Sequence, residues 1–144
     1  MMSTAPIQRR AAEVTPGTLV QREADGPIFM KAERIGTDYI HHYLVQLHPR
    51  PAAEADRRIH YLDPDDLLLD LDQKPVLDPG PEGAEKTVQC GDLFTTAKGT
   101  FFKLIEDPKS QKMFAYVEAA SGGFARRQER DVQAVHADWA LDLG

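Results

Sequence analysis

Gln73-Lys74-Pro75-Val76-Leu77-Asp78-Pro79-Gly80-Pro81-Glu82-Gly83-Ala84-Glu85 holds three prolines and two glycines and offers little that a core could bury. Proline fixes φ and removes a backbone donor, so residues 73–85 read as a linker. The linker divides a chain of 144 residues into near-equal segments, 14–72 and 86–144, and leaves 1–13 as a flexible N-terminal tail. The fold then turns on whether the two segments are alike.

They follow one order of events. Val14-Thr15-Pro16-Gly17-Thr18-Leu19-Val20 sets against Val88-Gln89-Cys90-Gly91-Asp92-Leu93-Phe94, each with a glycine two residues before a leucine. A turn glycine follows, Gly26 or Gly99, and then an apolar run, Ile28-Phe29-Met30-Lys31 or Phe101-Phe102-Lys103-Leu104. The polar turns Gly36-Thr37-Asp38 and Asp107-Pro108-Lys109-Ser110 lead to a second long apolar run, which aligns Tyr43 with Tyr116. Each segment then reaches a basic pair, Arg57-Arg58 or Arg126-Arg127, and afterwards Asp66-Leu67 or Asp131-Val132.

Turn signals every ten to twelve residues, separating short runs rich in Val, Ile, Tyr and Phe, are the rhythm of antiparallel hairpins. Strands are expected near residues 18–23, 27–35, 39–47, 57–62 and 67–71, and again near 92–96, 100–106, 112–120, 124–129 and 132–137. The C-terminus admits a second reading: Val132, Val135, Trp139 and Leu143 fall near helical spacing, while Ala140 to Leu143 also fit a frayed tail.

Five short strands in each segment resemble the small SH3-like barrel. The resemblance rests on Tyr61-Leu62-Asp63-Pro64-Asp65-Asp66-Leu67 and Arg127-Gln128-Glu129-Arg130-Asp131-Val132 as the turns entering the fifth strands. It implies a mainly β protein of two tandem five-stranded barrels and a binding module with no particular ligand. The acidic and aromatic loop signature of proline-peptide-binding SH3 domains is absent from both segments.

The long apolar runs are apolar on both faces. With period-two alternation Met113, Ala115, Val117 and Ala119 face one way and Phe114, Tyr116 and Ala120 the other; in the first segment Tyr39, His41, Tyr43, Val45 and Leu47 oppose Ile40, His42 and Leu44. One face suffices to line so small a unit, and an apolar surplus marks an interface. The two segments are expected to dock through these strands, with a homodimer or a partner protein as the other ways of covering them.

Composition bounds the function. The formal charge of −6 opposes generic nucleic-acid binding, which draws on Lys and Arg. The first segment has six basic against eleven acidic residues and the second has eight of each. No run of about 18 apolar residues exists to span a membrane. Arg9 and Arg10 are not followed by the apolar stretch of a secretion signal, so a cytoplasmic protein is expected. The single cysteine, Cys90, cannot form an internal disulfide.

No nucleophile elbow, phosphate-binding loop, dinucleotide-binding turn or HExxH pair is found, so no catalytic residue, cofactor or metal is assigned and the chain leans away from an enzyme. His41 and His42 are neighbours in a strand and face opposite sides, so they cannot share one metal. No spacing favours a metal at His48, His60 and Cys90. Asp63, Asp65, Asp66, Asp70 and Asp72 read as a solvated turn and strand, since the glycine and glutamate of an EF-hand are missing.

The leading expectation is a non-enzymatic adaptor or regulator that binds a protein partner through a surface of Tyr39, His41, Tyr43, Phe114, Tyr116, Arg126 and Arg127. A second is nucleic-acid or ribonucleoprotein binding through the second segment, where Phe101, Phe102 and Phe124 interleave with Lys98, Lys103, Arg126 and Arg127. A third places a small-ligand or enzyme site between the segments, with His41, Tyr43, His60 and Cys90 as its groups.

Overall fold

The computed structural model describes residues 6–50, 59–104, 116–126 and 128–144. The chain is mainly β. Its strands are β1 (Ile7–Arg10), β2 (Leu19–Gln21), β3 (Ile28–Ile35), β4 (Ile40–His48), β5 (Ile59–Leu62), β6 (Leu67–Asp70) and β7 (Leu77–Asp78), followed by β8 (Leu93–Thr96), β9 (Gly99–Lys103), β10 (Tyr116–Glu118), β11 (Phe124–Ala125), β12 (Ala134–His136) and β13 (Ala140–Leu141). No helix among the described residues is long and apolar enough to cross a membrane.

The first sheet runs β1-β6-β2-β3-β4-β5 and the second β12-β8-β9-β10-β11, with β7 and β13 as a separate pair. Apart from β1, each sheet therefore places the fifth strand of its segment beside the first, and then the second, third and fourth. All of these pairings are antiparallel. Among the described residues neither sheet closes on itself, so the closed barrels expected from the sequence are replaced by two open sheets.

Backbone hydrogen bonds set the correspondence of the halves. The Gly17 amide donates to Lys31 O (2.8 Å) and the Gly91 amide to Lys103 O (2.7 Å). Leu19 lies opposite Met30 and Leu93 opposite Phe102; Lys31 lies opposite Leu44 and Lys103 opposite Tyr116. Tyr116 therefore corresponds to Leu44 and not to Tyr43, and Lys103 to Lys31. Aligning the runs from sequence slips them by one residue, and in a strand one residue exchanges the faces.

The core has three parts. Val14, Val20, Phe29, Leu44, Leu62 and Leu68 fill the first half, and Val88, Phe94, Phe101, Tyr116 and Val135 the second. Between the sheets lies a shared cluster containing Leu19, Met30, Ala32 and Val45 and their counterparts Leu93, Phe102, Leu104 and Val117. Corresponding faces thus meet across the interface, as in an isologous contact between subunits. Residues of both strands expected to dock enter this cluster: Val45 and Leu47 of β4 and Val117 of β10 are buried in it, and Ala119 packs against it.

Close backbone approach accompanies this docking. The Glu33 amide donates to Gly122 O (2.9 Å), and a Cβ added to Gly122, whose φ is +70, would lie 2.5 Å from both Gly17 N and Lys31 O. Only glycine fits there.

Three expectations about the connecting segments change. The stretch read as linker contains β7, which pairs with β13 (Leu77 opposite Leu141), so it is tied to the C-terminus. That C-terminus is neither helical nor frayed. Trp139 and Leu141 are buried in the shared core, and the Trp139 indole N–H donates to Gly91 O at 2.8 Å. Nor is residue 7 onward a flexible tail: β1 pairs with β6, and the 3-10 turn Ala11–Glu13 buries Ala11 completely.

Candidate binding surface

Alternation along the β3–β4 hairpin builds the surface. On the face turned to the second half, the cross-strand pairs are Met30/Val45, Ala32/Tyr43 and Arg34/His41, from the base of the hairpin toward its tip. The first pair is buried under the second sheet. Farther out the same face passes from aliphatic to aromatic and then to cationic, and Tyr39, two residues beyond His41, is 63% exposed.

Neighbouring strands widen it. Tyr61 on β5 lies opposite Tyr43, their rings edge-to-face at 5.8 Å, and is 60% exposed. Phe124 on β11 packs against Tyr43 at 4.9 Å, and Tyr39 rests on His41 at 4.5 Å. The result is an aromatic row, Phe124-Tyr43-Tyr61, with Tyr39 and His41 along its side. Among the described residues β5 and β11 are the edge strands of their sheets, so backbone and aromatic rings adjoin the same region.

The hairpin tip forms a pocket of about 500 Å³ lined by Arg34, Ile35, Gly36, Thr37, Asp38, Tyr39 and His41 of the first half and Arg126 of the second. Gly36 closes the turn by donating to Tyr39 O at 3.0 Å, and a Cβ there would meet that oxygen at 2.7 Å and His41 Nε2 at 3.1 Å. Among its described residues the charged groups of the lining are Arg34, Asp38 and Arg126.

Behind this face the charges are paired. The Lys31 ammonium is wholly buried and donates to Val14 O (3.2 Å) and Glu33 Oε2 (2.9 Å). Burial lowers its pKa and Glu33 opposes that shift. His42 Nδ1 stands 3.6 Å from Glu33 Oε2, beyond hydrogen-bond reach. Burial first, then the charge of Lys31, hold its imidazole below the ordinary histidine range.

Of the residues expected to form an interaction surface, the structure gathers Tyr39, His41, Tyr43 and Arg126. Tyr116 is instead buried in the core of the second half. Its hydroxyl donates to Glu129 Oε2, which also accepts from Lys103 Nζ at 2.8 Å, and burial followed by Glu129 pushes the phenol above its ordinary range. Phe114 and Arg127 lie outside the described residues. The expected set omitted Tyr61, Phe124 and Arg34. Alternation from Met30 and Ala32 points to Arg34, and Phe124 carries only an aromatic signal. Tyr61 is separated from β4 by too many residues for its register to be counted from the sequence.

The groups of the other expectations are dispersed. His60 packs edge-on to Phe29 at 5.4 Å, whereas the Cys90 thiol donates to Leu104 O at 3.3 Å. Phe101 and Phe102 are buried and cannot stack on bases. Asp66 accepts from the Asp63 amide (3.0 Å), while Asp70 accepts from the Asp72 amide (2.8 Å) and pairs with Arg9 (3.1 Å). No group of three or more His, Cys, Asp or Glu placed to hold a metal occurs among the described residues. A second cavity of about 390 Å³ lies between Pro75, Leu77 and Pro79 and the face of Leu93, Thr95 and His136.

The chain matches no protein-family model, no curated protein and no solved structure.

Proposed function

We propose that the chain is a non-enzymatic interaction protein, a tandem arrangement of SH3-like units, that binds an extended segment of a partner protein across the aromatic row of β4, β5 and β11. The observation that carries this reading is the exposure of Tyr61 in one row with Tyr43 and Phe124, and of Tyr39 stacked on His41 beside it. Tyrosines give large, rigid contact area for little conformational entropy and keep a hydroxyl for hydrogen bonding. The adjoining edge of β5 offers backbone groups to an added strand. The repeated strand order and the core shared by the two sheets support the tandem reading.

Selection from a displayed random-peptide library with the full chain as bait tests it. Enriched peptides are expected to bind the full chain, and the Tyr39→Ala/Tyr61→Ala double variant is expected to bind them at least about tenfold more weakly with an unchanged melting temperature. A selection that enriches nothing, or peptides that bind the double variant equally well, would remove the proposal.

A further inference from the structure

We infer that the cavity between β7 and the second sheet is a binding site for a small, uncharged aromatic molecule with a hydrogen-bonding substituent, separate from the peptide surface above. Strand register sets its floor. Leu93 and Thr95 of β8 share one face, His136 lies opposite Leu93, Thr100 lies opposite Thr95, and the Ala119 amide donates to Thr100 O at 2.9 Å. Pro75, Leu77 and Pro79 stand over that floor and leave an opening of about 390 Å³.

The first half shows what fills the same place when no cavity is kept. Counted along the strands from the matching pairs Met30/Val45 and Phe102/Val117, Ile28 corresponds to Thr100 and Leu47 to Ala119. Leu71 corresponds to His136, because its amide donates to Leu19 O where His136 pairs with Leu93. Leu47 is buried in the shared cluster, and Ile28 and Leu71 pack against it. The second half carries shorter or polar side chains at these three positions, so one side of a repeated fold is filled and the other is open. Protein interiors pack to crystal density, and the fold itself therefore does not require the opening.

The lining defines the ligand. Among its described residues it holds no Asp, Glu, Lys or Arg, which opposes the burial of a charged guest. Proline, leucine and alanine supply the apolar walls, and a gap between an extended segment and a sheet accepts a flat body. An apolar cavity of ~150 Å³ holds benzene, so about 390 Å³ admits two fused rings. The Thr95 and Thr100 hydroxyls have no hydrogen-bond partner among the described residues. His136 Nδ1 lies 3.3 Å from Pro81 O. A carbonyl only accepts, so this contact places a proton on Nδ1 and keeps Nε2 as the acceptor of the neutral ring. A ring hydroxyl or N–H can meet these groups while the aromatic body covers the walls.

The test titrates the full chain at neutral pH with 2-naphthol, 2-naphthoate and 1-octanol, following backbone amide shifts by two-dimensional NMR. 2-Naphthol is expected to move the amides of Leu77, Thr95, Thr100 and Ala119, and to bind about tenfold more tightly than 2-naphthoate and about threefold more tightly than 1-octanol. The double variant Thr100→Ile/Ala119→Leu, which installs the side chains of the first half, is expected to weaken 2-naphthol binding at least about tenfold and to keep or raise the melting temperature. Should that variant fail to fold, Thr95→Val/Thr100→Val keeps the shape, removes both hydroxyls and is expected to weaken binding about threefold.

No binding of 2-naphthol, shifts confined to the aromatic row, or undiminished binding to a folded variant overturns the site. Tighter binding of 1-octanol overturns the aromatic assignment in favour of an alkyl chain, and tighter binding of 2-naphthoate overturns the uncharged one.

Discussion

The two halves place a lysine at the same point of the same strand pairing and neutralise it in different ways. Lys31 and Lys103 both carry an ammonium into the interior to reach a carbonyl at the entrance of their segment, Val14 O at 3.2 Å and Val88 O at 3.3 Å. In the first half the carboxylate is Glu33, two residues along the same strand, with His42 beside it. In the second it is Glu129, from beyond β11, and Tyr116 donates to the same oxygen. The position of the cation follows from the fold, whereas the counterion need only come from some element within reach. The difference gives the halves opposite responses to pH.

Removing a counterion has the largest expected effect. Lys31 is fully buried, so Glu33→Ala should destabilise the protein by about 3–5 kcal/mol in urea unfolding, the usual cost of stranding a buried charge. Glu129 is one-third exposed and water can replace it in part, so Glu129→Ala should cost less, about 2–3 kcal/mol. If the order is reversed, Tyr116 and not the lysine dominates the second site.

Tyr116→Phe sharpens the contrast at alkaline pH. It removes a hydrogen bond to a charged acceptor and should cost about 1.5–3 kcal/mol at pH 7. The folded phenol is held above its ordinary range, so the unfolded chain loses that proton first. The stability this contributes is complete below the ordinary tyrosine value of about 10 and declines as the pH rises beyond it. The phenylalanine variant should lack that decline. Lys31 acts in the other direction, because a lowered lysine pKa makes the folded state easier to form as the ammonium deprotonates.

The smallest effect belongs to His42. Its folded pKa is depressed, so its contribution is full above the ordinary histidine value and is lost as the pH falls below it, where the unfolded chain takes up the proton more readily. His42→Gln should flatten the acid limb of a melting-temperature profile between about pH 7 and pH 5 and leave the alkaline limb unchanged. An unaltered acid limb would assign that sensitivity to other groups.

The strands were legible because alternation and turn residues are local. All ten expected strands have observed counterparts, with β3, β6 and β8 nearest to their expected limits. The alternation of β4 also set Tyr39, His41 and Tyr43 on the face that becomes the surface. The clasp between β7 and β13 was not legible, because two residues of each strand pair across the length of a half and nothing local records the partner. The same holds for β1: Ile7-Gln8-Arg9-Arg10 is exposed throughout and is a strand because the edge of β6 accepts it. The register that sets Tyr61 opposite Tyr43 was not legible, because no alternation can be counted across the residues between β4 and β5.

These contrasts presuppose that the halves unfold together, because they share the cluster containing Met30, Phe102 and Trp139. Trp139 is the only tryptophan in the chain and packs edge-to-face on Phe102 at 5.0 Å, so its fluorescence reports on the seam. The direct measurement is urea unfolding of the full chain followed in parallel by tryptophan fluorescence and far-ultraviolet circular dichroism. The expected result is one coincident transition by both probes. Loss of the tryptophan signal at lower urea, with the β signal persisting to a second transition, would show that the seam opens while the sheets stay folded and would contradict the shared core.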